Sequence, residues 1–442
     1  MSHTTVDVAP GTVPAKLPPV VRLPKVVQGM AFVADRAAVV NRAARRYGPV
    51  FAINIPIFGR TVVVADPALV RQVFTASTDD LLNIKPNLSR IMGPGCVFAL
   101  DRAEHRHRRK LLTPPFHGKS IKNYEQLIEQ ETLREAANWL VGEEFATLEP
   151  MMRLTLNVIL RAVFGADGAE LDRLREIMPA WVTLGSQLAR LPTPPRALAG
   201  IGPWRRLGAA RREFDEIVAK LIARAQADPD FDERTDILSL MLRSRYDDGS
   251  PMPHEHIADE LVALLSAGHE TTASTLAWTF ERLRRHPEIA AALVAEADGD
   301  DNELRQATIL EVQRARTVID FVGRHVAAPF FDLGEYRIPH GYEIMVSIRQ
   351  LHENPEMFPE PDRFDPYRYV GERPPTFAWV PYGGGTRRCV GATFANTEMD
   401  VVLRTVLRHF TLDSVSDPGE KLHSRGVAYA PKRGGRVVLQ RR

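Results

Sequence analysis

Cysteine is almost missing from this chain of 442 residues: Cys96 and Cys389 are the only two. Two thiols cannot build a disulfide framework, and so low a count fits a reducing compartment. An iron–sulfur cluster takes about four thiolates, more than the chain can supply. Neither cysteine has a Cys or His partner at metal-finger spacing, which argues against structural zinc. No run of about eighteen apolar residues occurs, so no transmembrane anchor is expected. Charge of one sign is not in excess either. The formal net charge is +2, and nothing points to a nucleic-acid partner. The start, "MSHTTVDVAPGTVPAKLPPVVRLP", lacks the basic opening and apolar centre of a secretory signal. It reads as a Pro-rich extended lead-in. Internal repeats, low-complexity tracts and flavin or dinucleotide fingerprints are also lacking. The expected location is the cytoplasm.

What is present is an ordinary globular composition, 44% hydrophobic and 25% charged. A chain of this size can enclose a cofactor away from water. Residues 31–47 have helical patterning, and "VFAINIPIFGRTVVVAD" alternates about a Gly turn as a hairpin does. From Pro67 to about 320 the apolar spacing is mostly helical. Two Pro- and Gly-rich stretches, 83–101 and 191–203, break it and read as lids or binding loops. Strands return after about 325, then a Pro-dense meander, a helix after Cys389 and a last strand, "GRVVLQRR". Early and late strands are expected to share a sheet. The fold class is mainly α with small β-sheets. "GPWRRLGAARRE" (202–213) reads as an exposed helix with charged ridges in preference to one that grazes a membrane.

Cys389 sits in "VPYGGGTRRCVGATFA". By itself a free Cys is most often a buried apolar side chain. Its flanks argue otherwise. Gly383, Gly384 and Gly385 allow positive φ and a close approach of main chain to something flat and bulky. Backbone N–H groups, Arg387 and the start of the following helix favour a thiolate. Gly391 lets that helix pack closely on the same ligand. Haem iron held by one cysteine thiolate fits all these features.

"Tyr-Gly-x-Gly-x-Arg-x-Cys-x-Gly", residues 382–391, resembles the haem-binding loop of the cytochrome P-450 family. Tyr382 stands where that family usually has Phe. Three more stretches carry the resemblance, in the family's order. "AGHETT", 267–272, is similar to the oxygen-binding helix. Read alone, its threonines bond back to carbonyls four residues earlier and Glu270 lies on a solvated face. The resemblance instead implies that Gly268 leaves room for dioxygen and that Glu270 and Thr271 relay protons. Glu311-Val312-Gln313-Arg314 is similar to the family's Glu-x-x-Arg, with Arg368 as third member of a structural ion network; alone it is one more surface pair. His105 and Arg109 lie four apart in "DRAEHRHRRKLL", which alone reads as a solvated basic face. The resemblance makes them, with Arg324 and Arg387, partners of haem propionates. The segment after Arg314, "VQRARTVIDFVG", departs from the usual pattern.

The resemblance implies a helix-rich triangular prism enclosing haem b, iron protoporphyrin IX, with Cys389 as axial ligand. It implies residues 26–442 as a single haem domain behind the lead-in of 1–25. The activity implied is monooxygenation: one atom of dioxygen enters a small hydrophobic substrate as hydroxyl. Ferredoxin and ferredoxin reductase would supply the electrons and dock over Arg387 and Arg388. The loop 85–98, the helix near Ala263 and Ala267 and "VAAPFF" are expected to wall the substrate pocket. A peroxide-using haem-thiolate enzyme and a non-catalytic haem sensor are the alternatives. Loose membrane association is a secondary reading.

Overall fold

The computed structural model describes residues 16–442 except 166, 193 and 196–199. Part of the expected 191–203 loop therefore lies outside the described residues. In chain order the first elements are α1 (Lys25–Tyr47), β1 (Val50–Ile55), β2 (Gly59–Val64), α2 (Pro67–Thr75), β3 (Leu81–Asn83), α3 (Ser89–Met92), α4 (Arg102–Leu112) and α5 (Lys119–Ala136). A helical stretch follows: β4 (Glu144–Ala146), α6 (Leu148–Phe164), α7 (Ala169–Leu188), α8 (Gly202–Gln226), α9 (Ile237–Arg243), α10 (His254–Leu283), α11 (Pro287–Ala297) and α12 (Glu303–Ala315). The remainder is β5 (Phe321–Val326), β6 (Phe330–Leu333), β7 (Tyr336–Pro339), β8 (Glu343–Ser347), α13 (Ile348–His352), α14 (Ala392–His409), β9 (Phe410–Leu412), β10 (Leu422–Ser424), β11 (Tyr429–Pro431) and β12 (Arg436–Arg441).

Local signals account for many boundaries. Asp66 caps α2, accepting from the Leu69 N–H at 2.9 Å, with Pro67 at the first helical position. Asp236 caps α9 in the same way through Ser239. Gly165, in the left-handed region, ends α6. α10 is the longest helix at 30 residues and is buried along most of its surface, as its nearly all-round apolar sequence requires. It packs on α6, and both belong to the main core with α5, α8 and α14.

Early and late strands do share a sheet, in the order β1-β2-β8-β5-β3. The expected hairpin is β1 with β2, antiparallel from Val50↔Val64 to Ile55↔Gly59. β8 joins β2 in parallel, and β5 joins β8 antiparallel. A three-stranded sheet, β4-β12-β9, ties the chain's end to its middle.

Helix α1 begins at Lys25, a turn and a half before the sequence pattern suggests. The reason is that Val26, Val27 and Met30 point outward, so the first two turns lack an apolar-in, polar-out period. The opposite face is pinned. Arg36 is buried, and its Nε reaches both oxygens of Asp320 at 3.0 and 2.8 Å. Its Nη1 and Nη2 donate to the carbonyls of Gly426 and Val427, each at 2.7 Å. Asp320 lies in the unusual segment after Arg314, so that exit is fastened to α1. Arg36→Met should leave the Asp320 carboxylate buried and unpaired, costing about 3–5 kcal/mol. Thermal unfolding should show a clear fall in midpoint, while Lys16→Met, which breaks an exposed ion pair, should barely move it.

Candidate active site: a cysteine loop among buried cations

The loop carrying Cys389 is closed by its own backbone. The Cys389 N–H donates to the Tyr382 carbonyl at 2.9 Å, and Gly383 N–H to Val380 at 2.9 Å. Gly383 and Gly385 both have φ of +65°. A Cβ at Gly384 would overlap the Phe74 ring, and one at Gly385 the Phe74 carbonyl oxygen. These two glycines therefore let the loop dock on α2. Gly391 has nothing within 4 Å of a built Cβ, so no protein contact demands it.

The Cys389 sulfur is enclosed by protein yet retains accessible surface. It lies on the wall of an interior space, not on the outer surface. Burial raises its pKa, while the Gly391 N–H, Arg109 and Arg388 pull it back toward the thiolate. Cys96 differs: it is fully buried, and burial first, then Glu260, pushes its thiol up to about 12. It is the inert core thiol.

Helix α4 does not present a uniformly solvated basic face. Arg106 and Lys110 are exposed, but Arg108 is buried against Glu260 at 2.7 Å. His105 and Arg109 face inward toward Arg324 and Arg387. Burial, and then the charges of Arg387, Arg109 and Arg324, push His105 down to about 3, so it is neutral at working pH. Among the described residues neither the His105 ring nor the Arg109 guanidinium has a hydrogen bond or ion pair. Arg324 donates to the carbonyls of Gly323 and Gly384 at 2.9 and 3.0 Å and has no carboxylate partner among the described residues. Burial lowers it to about 10. Arg387 does have an acid: Nη2 holds Asp101 and the Leu100 carbonyl.

Leu264, Ala267, Gly268 and Thr271 are among the residues that retain surface on the mostly buried α10. Their spacing makes one stripe that faces open space. The Thr271 hydroxyl donates to the Ala267 carbonyl at 2.8 Å, the back-bond that its sequence allows. A Cβ on Gly268 would press on Ile159 of α6 at 3.2 Å, so this glycine lets α10 pack closely on α6. Glu270 is not on a solvated face. It is buried, 3.0 Å from Arg425 Nε, and burial raises its pKa against the pull of Arg425.

These features have counterparts in known proteins. The cytochrome P-450 family profile matches residues 17–436. The chain belongs to the cytochrome P-450 family. It is 61% identical over 437 residues to cytochrome P-450 138 of Mycobacterium tuberculosis, covering 99% of both chains. It is 38% identical to cytochrome P-450 137 of the same organism, over 92% of this chain and 86% of that one. Among solved structures, retinoic acid bound cyanobacterial CYP120A1 superposes with a TM-score of 0.85 at 22% identity, covering 97% of this chain and all of that one. The fold is therefore the P-450 fold, the cofactor is haem b and the enzyme is a haem-thiolate monooxygenase.

The residues present fit that cofactor. Buried guanidinium groups without a carboxylate are costly until an anion meets them. A porphyrin's two propionates are such anions, and a softened thiolate nearby is the donor that the iron takes.

The P-450 resemblance named the Glu311 network but not its reach. Arg314 grips Glu311 with Nε and Nη2, both at 2.7 Å, and donates to the carbonyls of His352, Pro361 and Arg363. Glu311 also accepts the Asp365 N–H at 3.0 Å and lies 3.3 Å from Arg368. Tyr382 is half-buried. Its hydroxyl accepts from Gln313 Nε2 at 2.7 Å and donates to Asn396 Oδ1 at 2.6 Å. The extra oxygen thus tethers the ring to α12 and α14. Gln313, Asn396, Asp101 and Arg425 escaped sequence reasoning because long-range partners leave no periodic signal. A cavity of about 570 Å³ between α6 and α7 was also unforeseen; His269 and Arg425 line it. Glu311→Gln should cost about 3–5 kcal/mol, and Tyr382→Phe only about 1 kcal/mol because Gln313 and Asn396 still bond at 3.2 Å. Thermal midpoints and haem content of the two variants, compared side by side, test that ranking.

Proposed function

We propose that this enzyme hydroxylates a small hydrophobic substrate, with residues 26–442 acting as one haem domain behind an extended lead-in of residues 1–25. The observation that carries the reading is one enclosed cysteine sulfur set among cationic and donor side chains that lack carboxylates. Haem, when bound, supplies the iron at which dioxygen is activated. Cys389 holds that iron as a thiolate, with the Gly391 N–H, Arg109 and Arg388 favouring the anion. Arg109 and Arg324 bind propionates as cations, and His105 does so as a neutral N–H donor. Arg387 keeps Nε and Nη1 for the same task while Nη2 braces the loop on Asp101.

Glu270 and Thr271 handle protons. A carboxyl whose pKa is raised can take up a proton that an exposed one refuses near neutral pH. Arg425 touches Glu270 and also lines the cavity between α6 and α7, which makes it the inner end of a route from solvent. This buried pair beside Thr271 favours the splitting of dioxygen over the use of peroxide. The apolar stripe through Leu264 and Ala267 supports a hydrophobic substrate. Ferredoxin and ferredoxin reductase are the proposed electron donors, docking over exposed Arg388; Arg387, mostly enclosed, offers them little. The proposed location is the cytoplasm, and no helix among the described residues is long and apolar enough to cross a membrane.

Cys389→Ser should abolish the thiolate signature of the reduced, carbon monoxide-bound spectrum. Thr271→Ala should retain that spectrum but, with a surrogate ferredoxin system, lower product formed per oxygen consumed by about tenfold or more. Unchanged coupling in Thr271→Ala, or an unchanged spectrum in Cys389→Ser, removes the role assigned to that residue.

A further inference from the structure

The cavity of about 570 Å³ between α6 and α7 falls within the range of small-ligand pockets, about 300–1,000 Å³. None of Cys389, His105, Arg109, Arg324 or Thr271 lines it, so it is separate from the space at the thiol. Met152 and Leu156 come from α6, lie one turn apart and are buried. Half-buried Leu184 faces them from α7. One wall is therefore apolar.

Most charges around the cavity are already answered. Arg175 spends Nε on Asn157 at 2.9 Å, Nη1 on Asp172 at 2.6 Å and Nη2 on Asp167 at 2.9 Å. Arg153 gives Nε and Nη2 to Glu135 at 3.3 and 2.6 Å. Glu149, the acid among the described lining residues, is exposed. Two groups are left over. Arg425, in the turn between β10 and β11, gives only Nε to Glu270, so Nη1 and Nη2 have no partner among the described residues. The His269 ring, on α10, donates from Nδ1 to the Leu265 carbonyl at 3.0 Å. Its Nε2 is then the lone-pair nitrogen, buried and without a partner among the described residues. Burial keeps the ring neutral, with its pKa pushed down to about 4.

A buried acceptor without a donor is costly, and the open end of a guanidinium fork suits a carboxylate. Both groups line the same cavity beside the same apolar wall. Water can answer His269, but it gains nothing from Met152, Leu156 and Leu184. The molecule that matches all three features carries an anion, an O–H donor and a short alkyl chain.

We propose that this cavity is a second binding site, one for a medium-chain hydroxy carboxylate. The carboxylate meets Nη1 and Nη2 of Arg425, the hydroxyl donates to His269 Nε2, and the chain lies along α6 and α7. Arg425 also holds Glu270 at 3.0 Å. The bound anion and Glu270 share one guanidinium, so the site is coupled to that carboxyl, and the coupling is reciprocal. The effect on turnover rests on the proton role proposed for Glu270; the binding does not.

The test is calorimetry on the full-length holoenzyme saturated with phenylimidazole, a nitrogen ligand that closes the iron and whose absorption band reports any second molecule entering the haem space. β-Hydroxyoctanoate should bind about fivefold or more tighter than octanoate, and octylamine should not bind. His269→Phe should abolish the preference for the hydroxyl, and Arg425→Gln should weaken both acids about tenfold or more. Thr183→Trp, which fills the cavity from α7, should abolish binding while the carbon monoxide spectrum, reporting a folded holoenzyme, stays intact. The proposal is overturned if neither acid binds, since the cavity then holds water only, or if octylamine binds as well as the acids. It is also overturned if Thr183→Trp binds equally, or if the phenylimidazole band shifts, which puts the acid in the haem space. Heat is read and not turnover, so failure of the Glu270 proton role would leave this result standing.

Discussion

One buried carboxylate, that of Glu311, organises the approach to the cysteine. It has no access to water, and an unpaired charge there would cost several kcal/mol. Arg314 neutralises it in a two-pronged pair, and the guanidinium's remaining donors collect carbonyls from α13 and the meander. The carboxylate itself accepts a backbone N–H from the meander. A segment with little regular structure is thereby fixed by one ion pair, and the loop that presents Cys389 grows out of that segment.

The same constraint, that a buried charge must be answered, reads differently on the two sides of the interior space. Around Glu311, Asp320 and Glu260 each acid has its arginine, and these groups are structural. Around Cys389 the balance is broken. His105, Arg109 and Arg324 converge without an acid, and only Arg387 has Asp101. Several cationic and donor groups left without an acid, gathered beside one cysteine thiol, are what mark this region as a binding site for an anionic cofactor. Glu270 is the intermediate case: paired with Arg425, yet with its pKa raised by burial.

Much of the fold was legible because it rests on local periodicity. The β1–β2 hairpin, the long apolar α10 and the helix after Cys389 could be placed from residue spacing. The start of α1 could not, since its apolar residues face outward. Glycine roles were legible only as freedom, not as purpose. Gly384 and Gly385 make way for Phe74, and Gly268 for Ile159. A glycine's need for space is visible in the sequence, but the neighbour that takes the space is not.

Taken alone, the sequence determined the kind of chemistry, because a cysteine among glycines and arginines, an acid–threonine pair in an apolar helix and a Glu-x-x-Arg are each contiguous. It also determined family membership, which depends on those motifs and their order. Tertiary structure alone decided which charges are answered. Arg36 with Asp320, Glu270 with Arg425 and Tyr382 with Gln313 and Asn396 join residues between 14 and 284 positions apart. Side-chain reach is a few ångströms in space and carries no mark of distance along the chain. Partners of this kind therefore exist only once the helices and sheets have packed.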